Sequence, residues 1–522
     1  MSVRQMAAVT GLVAVLLAIQ GDEPAMAARI AGGAGMRLPS AGTPGAAARK
    51  REDAGVFAQQ REDAGMLGSF MRFGWVSPPV ESTTAARVAE YAGAGLDLML
   101  PAWQDSGRVA DNLSRLDYAA ANGLRCLIWD RRFEQFFALD PHSAWGGAVL
   151  DTIVADYKNL PAFGGYYLGD EPPQSEFPLL AALHAELRAR DPSHPAWNNL
   201  LGSTGVGSFT AWQAYVRAYL DTTHAAVLCY DEYDFLESGD RGLFVGNLVG
   251  AAGIANEYGI PFWAIVQLIQ HYQYRALTEG EMRWQVAHAL AYGAHGVGYF
   301  TYWTPAPDTT FNWHYGMVGW DGQRTPWYAF LARLNPRVAV AGRTLAGLAW
   351  HATVHSGSVP IQATAFTPDE WIANVEGRAA LGEFTDALNG RFVLVANSDS
   401  AAAQAIALTF PGATKVERLS DDGSAWAEID TTHVGSGTGT GTRAALALEA
   451  GDFTLLRVGG EAGPPRAGSG PGLAIRPNPA HHAVEFVIGH VKTSGRVEIL
   501  DSLGRRIWSR TVASGSGIVT WD

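Results

Sequence analysis

The stretch Gly164-Gly-Tyr-Tyr-Leu-Gly-Asp-Glu-Pro-Pro173 decides the fold of this chain. Tyr166–Leu168 predicts a short buried strand, and the glycine that follows lets the backbone turn. The two prolines that close the stretch cannot donate to a β-ladder, so the strand must end before them. Asp170 and Glu171 therefore stand side by side at a forced strand end. Such a pair among aromatic residues suits chemistry better than packing.

Strands and amphipathic helices alternate on both sides of this stretch. Alternation of this kind predicts parallel βαβ units. Eight units within 68–340 predict an α/β fold of the (β/α)8 TIM-barrel type, in which chemistry takes place at the carboxyl ends of the strands. The predicted strands are Arg72–Val76, Leu96–Pro101, Leu124–Trp129, Gly165–Gly169, Ala196–Leu201, Ala226–Tyr230, Phe262–Gln267 and Gly296–Trp303.

The composition changes on either side of the predicted barrel. Residues 1–27 have a positive start, a short apolar core and a small-x-small site, which predict a signal peptide. Residues 28–67 lack periodicity and predict a disordered leader. Residues 341–459 contain short β runs between turn residues and predict an antiparallel β-sandwich. A Pro/Gly linker at 460–472 then leads to a small C-terminal β module at 473–522.

The composition also excludes some classes of partner. The chain has 522 residues and a net charge of −13, with the acidic excess spread along the sequence. Nothing in it would neutralise a phosphate backbone, which argues against nucleic acid as a partner. No apolar run is long enough to span a membrane, so the signal peptide predicts a secreted or cell-surface protein. Cys126 and Cys229, the only cysteines, fall within predicted strands, which favours buried free thiols over a disulfide.

Carboxylates at two strand ends are the candidates for catalysis. Glu171 lies beside Asp170 and apolar rings, which should raise the pKa of its carboxyl as a general acid requires. The sixth strand runs into Asp231 and Glu232, and either could supply the second carboxylate that cleavage of a glycosidic bond needs. If Cys229 faces the helices, the period of two turns Tyr230 toward the barrel interior, and Asp231 or Glu232 would then reach the mouth. The competing interpretation makes the first pair a helix cap and the second a solvated acidic loop.

Aromatic and polar side chains gather at the other strand ends. Flat rings there would stack on the apolar faces of sugar rings, although each ring could equally fill the barrel core. The histidines are scattered, so we predict neither a metal site nor a cofactor. The residues predicted to bind substrate are Trp75, Trp103, Trp129, Asp130, Tyr230, Tyr233, Gln267, Tyr302 and Trp303.

The predicted barrel resembles glycoside hydrolases of the cellulase/β-galactosidase superfamily. The resemblance rests on Gly169-Asp-Glu-Pro172, Tyr230-Asp-Glu-Tyr233 and the run Leu290–Trp303. It implies a hydrolase of O-glycosyl bonds with a carbohydrate substrate and with Glu171 as the acid/base. In that superfamily the nucleophile is a Glu after strand seven. Here Gln267 occupies that region, and no carboxylate occurs from 261 to 277.

This departure leaves three alternatives open. Asp231 or Glu232 could be the partner of Glu171, including as the base of an inverting reaction. The adjacent Asp170 and Glu171 resemble the pair of hexosaminidases, in which the first residue orients the substrate's own acetamido group and the second is the acid. The third alternative is a non-catalytic carbohydrate-binding barrel.

The C-terminal module resembles the FlgD-like or type IX secretion sorting modules of bacterial exported enzymes. Pro477-Asn-Pro479 and the turn Asp501–Arg505 carry this resemblance. It implies the secretion machinery as a partner. Modules of this kind continue past a Trp-Asp pair, so we expect this one to be incomplete. The competing interpretation is a generic β appendage.

Overall fold

The computed structural model describes residues 67–434 and 441–460, together with the backbone of six further strands near the two ends of the chain. The predicted leader at 28–67, apart from its last residue, lies outside the described residues. The same holds for the predicted linker at 460–472, apart from its first residue.

Eight parallel strands form a closed barrel, which confirms the predicted fold class. The strands are β1 Met71–Trp75, β2 Leu98–Met99, β3 Arg125–Ile128, β4 Phe163–Asp170, β5 Ala196–Asn199, β6 Leu228–Asp231, β7 Phe262–Gln267 and β8 Gly296–Phe300. They pair in the order β5-β4-β3-β2-β1-β8-β7-β6. The ring closes between β5 and β6, where the backbone N–H of Leu200 donates to Cys229 O at 2.9 Å and that of Asp231 donates to Leu200 O at 3.3 Å.

Helices connect the strands, so the segments that follow each strand meet at one end of the barrel, the mouth. The helices of the described residues are α1 Ala85–Gly93, α2 Val109–Ala120, α3 Ala144–Tyr157, α4 Phe177–Arg190, α5 Ser203–Val206, α6 Phe209–Thr223, α7 Phe244–Tyr258, α8 Glu279–Ala291 and α9 Pro326–Ala346. A capping box starts α8: Glu281 N–H donates to Thr278 Oγ1 at 3.2 Å, and Thr278 N–H donates to Glu281 Oε2 at 2.8 Å.

Aromatic side chains fill the barrel interior below the mouth. The ring centroids of Trp75, Tyr167 and Trp197 lie 5.4–6.0 Å apart, and the ring of Trp263 is 6.3 Å from that of Trp197. The barrel is therefore a packed core and not a pore, as expected for eight strands.

A β-sandwich follows the barrel. Its strands are β9 Ala349–His355, β10 Thr364–Ala365, β11 Asn374–Glu376, β12 Ala379–Thr385, β13 Arg391–Asn397, β14 Gln404–Pro411, β15 Ala413–Leu419, β16 Trp426–Glu428, β17 Thr431–Val434, β18 Gly441–Leu448 and β19 Phe453–Gly460. One sheet has the order β10-β9-β12-β13-β19-β15-β16, and the facing sheet has the order β11-β14-β18-β17. Because α9 continues to Ala346, the first residues of the span 341–459 are helical.

The sandwich packs on α8 and α9 at unusually close range. A Cβ at Gly280 would overlap the backbone of Ser400, and a Cβ at Gly451 would overlap the carbonyl of Gly280. The Arg283 guanidinium donates through Nε to Ala450 O at 2.8 Å. The two layers consequently share one hydrophobic core, to which both contribute buried side chains.

The chain's remaining described strands form two small antiparallel sheets. Leu473–Asn478, Ala483–Val491 and Gly515–Trp521 make one sheet. The other contains Gly495–Leu500 and Arg506–Val512, with Ala14–Ile19 antiparallel to the first of these two. Ala14–Ile19 belongs to the apolar core of the predicted signal peptide, whose other residues lie outside the described part of the chain.

Two further expectations can be compared with the structure. Cys126 and Cys229 are both buried free thiols, as favoured from the sequence. Among the described residues, no helix combines the length and the apolar character that crossing a bilayer requires.

We expect Gly298→Ala in β8 to destabilise the barrel by about 1–3 kcal/mol, because the added methyl group would overpack a filled core. A Cβ there would overlap the ring of Phe73 and lie 2.9 Å from Ile265 Cγ1. Gly253→Ala in α7 is the matched control, since a Cβ at that exposed position meets nothing within 4 Å. It should stabilise the helix by about 0.5–1 kcal/mol. Denaturant unfolding of both variants measures the difference, and equal midpoints would contradict the packing described here.

Candidate active site

The end of β4 turns two carboxylates into the mouth. Gly169 has a φ of 135°, and Glu171 has a φ of 46°, in the left-handed region that residues with a side chain rarely adopt. The Glu171 N–H donates to Asn199 O at 2.8 Å, which holds this turn against β5. A backbone conformation of this kind at a strand end is a common feature of functional sites.

A third carboxylate joins this pair from the end of β6. Asn199, at the end of β5, donates through Nδ2 to Asp170 Oδ1 at 3.1 Å and to Asp231 Oδ1 at 2.7 Å. The carboxyl groups of Glu171 and Asp231 are close enough for each to shift the pKa of the other. Three neighbouring strands thus bring Asp170, Glu171 and Asp231 together, and we call these three residues the carboxyl cluster.

The carboxyl cluster holds protons more tightly than ordinary carboxyl groups. Burial raises the pKa of Asp170 to about 7, and the charge of Asp231 adds to this rise. Burial, followed by the charge of Asp170, raises the pKa of Glu171 to about 7. The pKa of Asp231 also lies well above its usual range, through burial and the charge of Glu171. The side chains of Asp170 and Glu171 are exposed. We therefore attribute their raised pKa values mainly to repulsion between the carboxylates.

A cleft of about 450 Å³ opens beside the cluster. The predicted residues Trp75, Trp103 and Trp129 line it together with Asp170. Its remaining lining residues include Tyr167, Gln104 and Asp105. Flat rings beside a polar cluster fit a pyranose, which presents apolar faces and a rim of hydroxyl groups.

Tyr233, predicted to bind substrate, lies close to the carboxyl cluster. Its pKa is raised by burial and then by the charges of Asp231, Glu171 and Asp170. Its ring stacks on that of Phe300, with centroids 5.5 Å apart. Tyr233 is therefore a neighbour of the carboxyl cluster.

Glu232 has a structural role. Its side chain is buried and accepts hydrogen bonds from Thr204 N at 2.9 Å, Asn247 Nδ2 at 3.2 Å and Ser203 Oγ at 3.3 Å. The period of two explains this placement. The ring of Tyr230 packs on Trp212 of α6 at 5.3 Å, so Tyr230 and Glu232 face the helices. The interpretation that Tyr230 faces the barrel interior was therefore wrong.

Four other predicted residues also lie away from the cleft surface. Asp130 is buried, accepts from Arg132 Nη2 at 2.6 Å and caps the short helix that follows it. Gln267 is buried. Its Oε1 accepts a hydrogen bond from Phe235 N at 3.0 Å, and its Nε2 donates to Phe235 O at 3.1 Å and to Arg275 O at 3.2 Å. It therefore anchors the loop after β6 and does not take the place of a nucleophile.

Tyr302 and Trp303 pack behind the mouth. The ring of Tyr302 lies 4.5 Å from that of Tyr91 in α1, and both rings are buried. Trp303 is 6% exposed and is covered by the Arg87 guanidinium at 5.4 Å. The run after β8 thus faces the helices at these two positions.

Sequence reasoning missed several residues of the site. Asn199, which bridges two members of the cluster, lies beside Asn198 inside the predicted strand Ala196–Leu201, and a polar pair within a strand of this kind was an available signal. Trp313 lies in the loop after β8, and its ring centroid is 5.9 Å from that of Trp103.

Among the described residues, no group of three or more His, Cys, Asp or Glu side chains could hold a metal ion.

Comparison with known proteins gives only distant likenesses. Neither a protein-family model nor a curated protein matches the chain. A solved structure described as "Glycoside hydrolase" is 10% identical, with a TM-score of 0.47, over 76% of this chain and 93% of that chain. A glycoside hydrolase family 5 from Bacteroides vulgatus is 12% identical, with a TM-score of 0.48, over 75% and 89% of the two chains. An endo-1,4-beta-mannanase from Eisenia fetida is 10% identical, with a TM-score of 0.36, over 51% and 91%. Similarity this low carries no argument about activity.

We expect Asp170→Asn to raise the melting temperature at pH 8 by about 2–4 °C, corresponding to roughly 1 kcal/mol after discounting for exposure. A carboxyl whose pKa rises on folding stabilises the folded state below its unfolded pKa and loses this contribution as pH increases toward 7. The variant should therefore match the wild type near pH 4 and exceed it at pH 8. Asp117→Asn on the exposed face of α2 is the control and should show no such pH dependence. A variant that is equally or less stable at pH 8 would argue against repulsion in the cluster.

Proposed function

We propose that this chain is an exported glycoside hydrolase that cleaves O-glycosidic bonds with the carboxyl cluster. The observation that carries this proposal is the meeting of Asp170, Glu171 and Asp231 at the mouth of a barrel beside a cleft lined by indole rings. Glycosidic cleavage needs an acid that keeps its proton at working pH and a second carboxylate near the anomeric carbon. Both chemical requirements are available within one cluster.

Glu171 is the general acid of the proposed reaction. Burial and mutual repulsion raise the pKa values of all three carboxyl groups, so the cluster retains a proton near neutral pH, and the proposed reaction needs that proton on Glu171. That proton would pass to the glycosidic oxygen as the bond to the anomeric carbon breaks. The carboxylate left behind would then accept a proton from the incoming water, which returns Glu171 to its starting state.

Asp231 is the proposed partner carboxylate. Asn199 Nδ2 donates to Asp231 Oδ1 at 2.7 Å, which fixes one oxygen of this carboxyl group and leaves the other available to the substrate. Glu171 and Asp231 each shift the pKa of the other, so their carboxyl groups are near neighbours. This proximity favours a retaining reaction, in which the carboxyl groups are about 5–5.5 Å apart and the Asp231 carboxylate attacks the anomeric carbon, over an inverting one, which keeps about 6.5–9.5 Å for a water molecule.

A substrate-assisted reaction is the second candidate. Asp170 lines the cleft directly beside Glu171, where it could accept a hydrogen bond from an acetamido N–H. The carbonyl oxygen of that group would then attack the anomeric carbon in place of Asp231. This route requires an N-acetylated sugar, which makes it separable by experiment.

The two ends of the chain support export within the same proposal. The N-terminal segment has the pattern of a signal peptide, and the C-terminal module resembles sorting modules that engage secretion machinery. Neither role involves the carboxyl cluster. We therefore assign them to delivery of the protein to the cell surface or medium.

We expect Glu171→Gln to reduce kcat/KM on glycosides with poor leaving groups by about 10²–10⁴-fold, the usual contribution of a general acid. Aryl glycosides with good leaving groups need less protonation, so the variant should lose less of its kcat/KM on these substrates.

Asp231→Gly should be inactive but regain turnover with azide, which replaces the missing nucleophile. Under the substrate-assisted route only N-acetylated substrates turn over, and Asp170→Asn is more damaging than Asp231→Asn. Asp117→Asn serves as the unchanged control, and saccharide binding without turnover in every form would leave only a binding barrel.

The pH profile offers an independent measurement on the same cluster. The charge of Asp170 contributes to the raised pKa of Glu171, so Asp170→Asn should lower that pKa. The basic limb of kcat/KM should consequently move to lower pH in the variant. A limb that stays in place, or moves to higher pH, would assign the acid to another residue.

A C-terminal truncation tests the division between catalysis and delivery. The chain ended after Gly460 should keep its activity within about twofold, or under 0.5 kcal/mol of barrier, because the cluster and cleft lie within residues 67–460. Export of the truncated form, measured as the fraction in the medium, should fall. A large loss of turnover would show that the C-terminal module supports the barrel.

A further inference from the structure

The exposed aromatic side chains are concentrated at the barrel mouth. In the described part of the chain, every large aromatic side chain that is exposed lies in a segment between the end of a barrel strand and the helix that follows, or in the first turn of that helix. These residues are Trp103, Phe137, Trp145, Tyr272, Phe311, Tyr315 and Trp320. In the described part of the sandwich, the large hydrophobic side chains that are exposed are aliphatic: Val359, Ile361 and Leu388. An exposed aromatic surface restricted to one face indicates a binding surface.

Four of the mouth rings form a continuous ribbon that starts in the cleft. Trp103 lines the cleft and meets Trp313 edge to face at 5.9 Å. Trp313 stacks on Phe311 at 5.0 Å with an interplanar angle of 20°, and Phe311 meets Tyr272 at 6.5 Å. We call these four residues the aromatic ribbon. It extends from the cleft toward solvent, since Phe311 and Tyr272 are 41% and 62% exposed.

Backbone hydrogen bonds hold the aromatic ribbon in place. The Tyr272 N–H donates to Phe311 O at 2.5 Å, which ties the loop after β7 to the loop after β8. Asp308 Oδ1 accepts from Thr310 N at 2.8 Å and from Phe311 N at 2.7 Å. Rings fixed before binding lose little conformational freedom when a ligand stacks on them.

The ribbon and the carboxyl cluster occupy opposite halves of the mouth. The cluster comes from β4 and β6 with Asn199 between them on β5, whereas the ribbon comes from the loops after β2, β7 and β8. A ligand that stacks on the ribbon can therefore present one of its bonds to the cluster. The residues lining the cleft include no Lys or Arg, and the cluster itself is acidic, so the mouth disfavours a polyanionic chain.

We infer that the aromatic ribbon binds consecutive units of an uncharged polysaccharide, next to the unit that reacts at the carboxyl cluster. This inference rests on the proposed function and specifies its substrate as a polymer of neutral sugars. Trp103 supplies the position nearest the reacting bond, and Phe311 and Tyr272 supply positions farther along the chain. Each pyranose would lay an apolar face on a ring and leave its hydroxyl groups in water.

The test compares oligosaccharides of two and six units in the full-length Glu171→Gln background, where turnover is suppressed. The probes are cello-, xylo-, manno- and chito-oligosaccharides, with binding measured by calorimetry. For at least one series we expect the hexasaccharide to bind about tenfold or more tightly than the disaccharide. Adding Phe311→Ala or Tyr272→Ala should remove at least fivefold of this gain and leave disaccharide binding within twofold. Ile361→Ala, an exposed position of the sandwich, is the control and should change neither value.

The outcomes separate this inference from the proposed function. Turnover of aryl glycosides by the wild type without any gain from chain length would overturn the ribbon and leave the hydrolase standing. A gain that both alanine variants retain would also overturn it, as would binding of no oligosaccharide in the panel. A gain that the variants abolish, in a wild type that hydrolyses nothing, would support the ribbon and reject the hydrolase. Circular dichroism of each variant verifies folding, which exposed positions should not disturb.

Discussion

Repulsion among three carboxyl groups is the constraint on which the site depends. The ladder order β4-β5 and the closure of β5 on β6 place the ends of these strands side by side, so the barrel backbone keeps Asp170, Glu171 and Asp231 close together. One amide, from Asn199, donates to two of them. Such a site is stable only where it keeps a proton, and a retained proton is what acid catalysis needs. The fold thus converts an unfavourable arrangement into a chemical property.

Other acidic side chains of the barrel show what a structural carboxylate looks like. Glu232 is more deeply buried than Glu171, yet the hydroxyl, amide and backbone donors of α5 and α7 surround it. Asp130 is paired with Arg132 and accepts from Tyr157 OH at 2.6 Å. In the described part of the chain no Arg or Lys forms an ion pair with a member of the carboxyl cluster. The supply of donors, more than burial, distinguishes the two kinds of acid.

The sequence was most informative where a local rule was strict. Alternation of strands and helices predicted the barrel, and two consecutive prolines predicted where β4 ends and which acids stand there. The sequence was least informative about which side chains of a strand face the barrel interior and which face the helices. Cys229 and Tyr230 both suit a buried strand, so neither face could be assigned until Tyr230 was seen against Trp212. The same uncertainty placed Gln267, Tyr302 and Trp303 in the mouth. Asn199 and Trp313 were missed because their roles depend on contacts between loops distant in sequence.

The close contact between α8 and the sandwich has a consequence for how such a protein can change over time. At Gly280 and Gly451 main chain lies against main chain with no room for a methyl group. A surface this close tolerates substitution poorly and is complementary to one partner only. The barrel and its sandwich are therefore expected to be inherited together, and a chimera that exchanges the sandwich alone would have to carry α8 with it. Variation in this lineage should accumulate instead in the loops of the mouth, where side chains meet solvent and new specificities can arise.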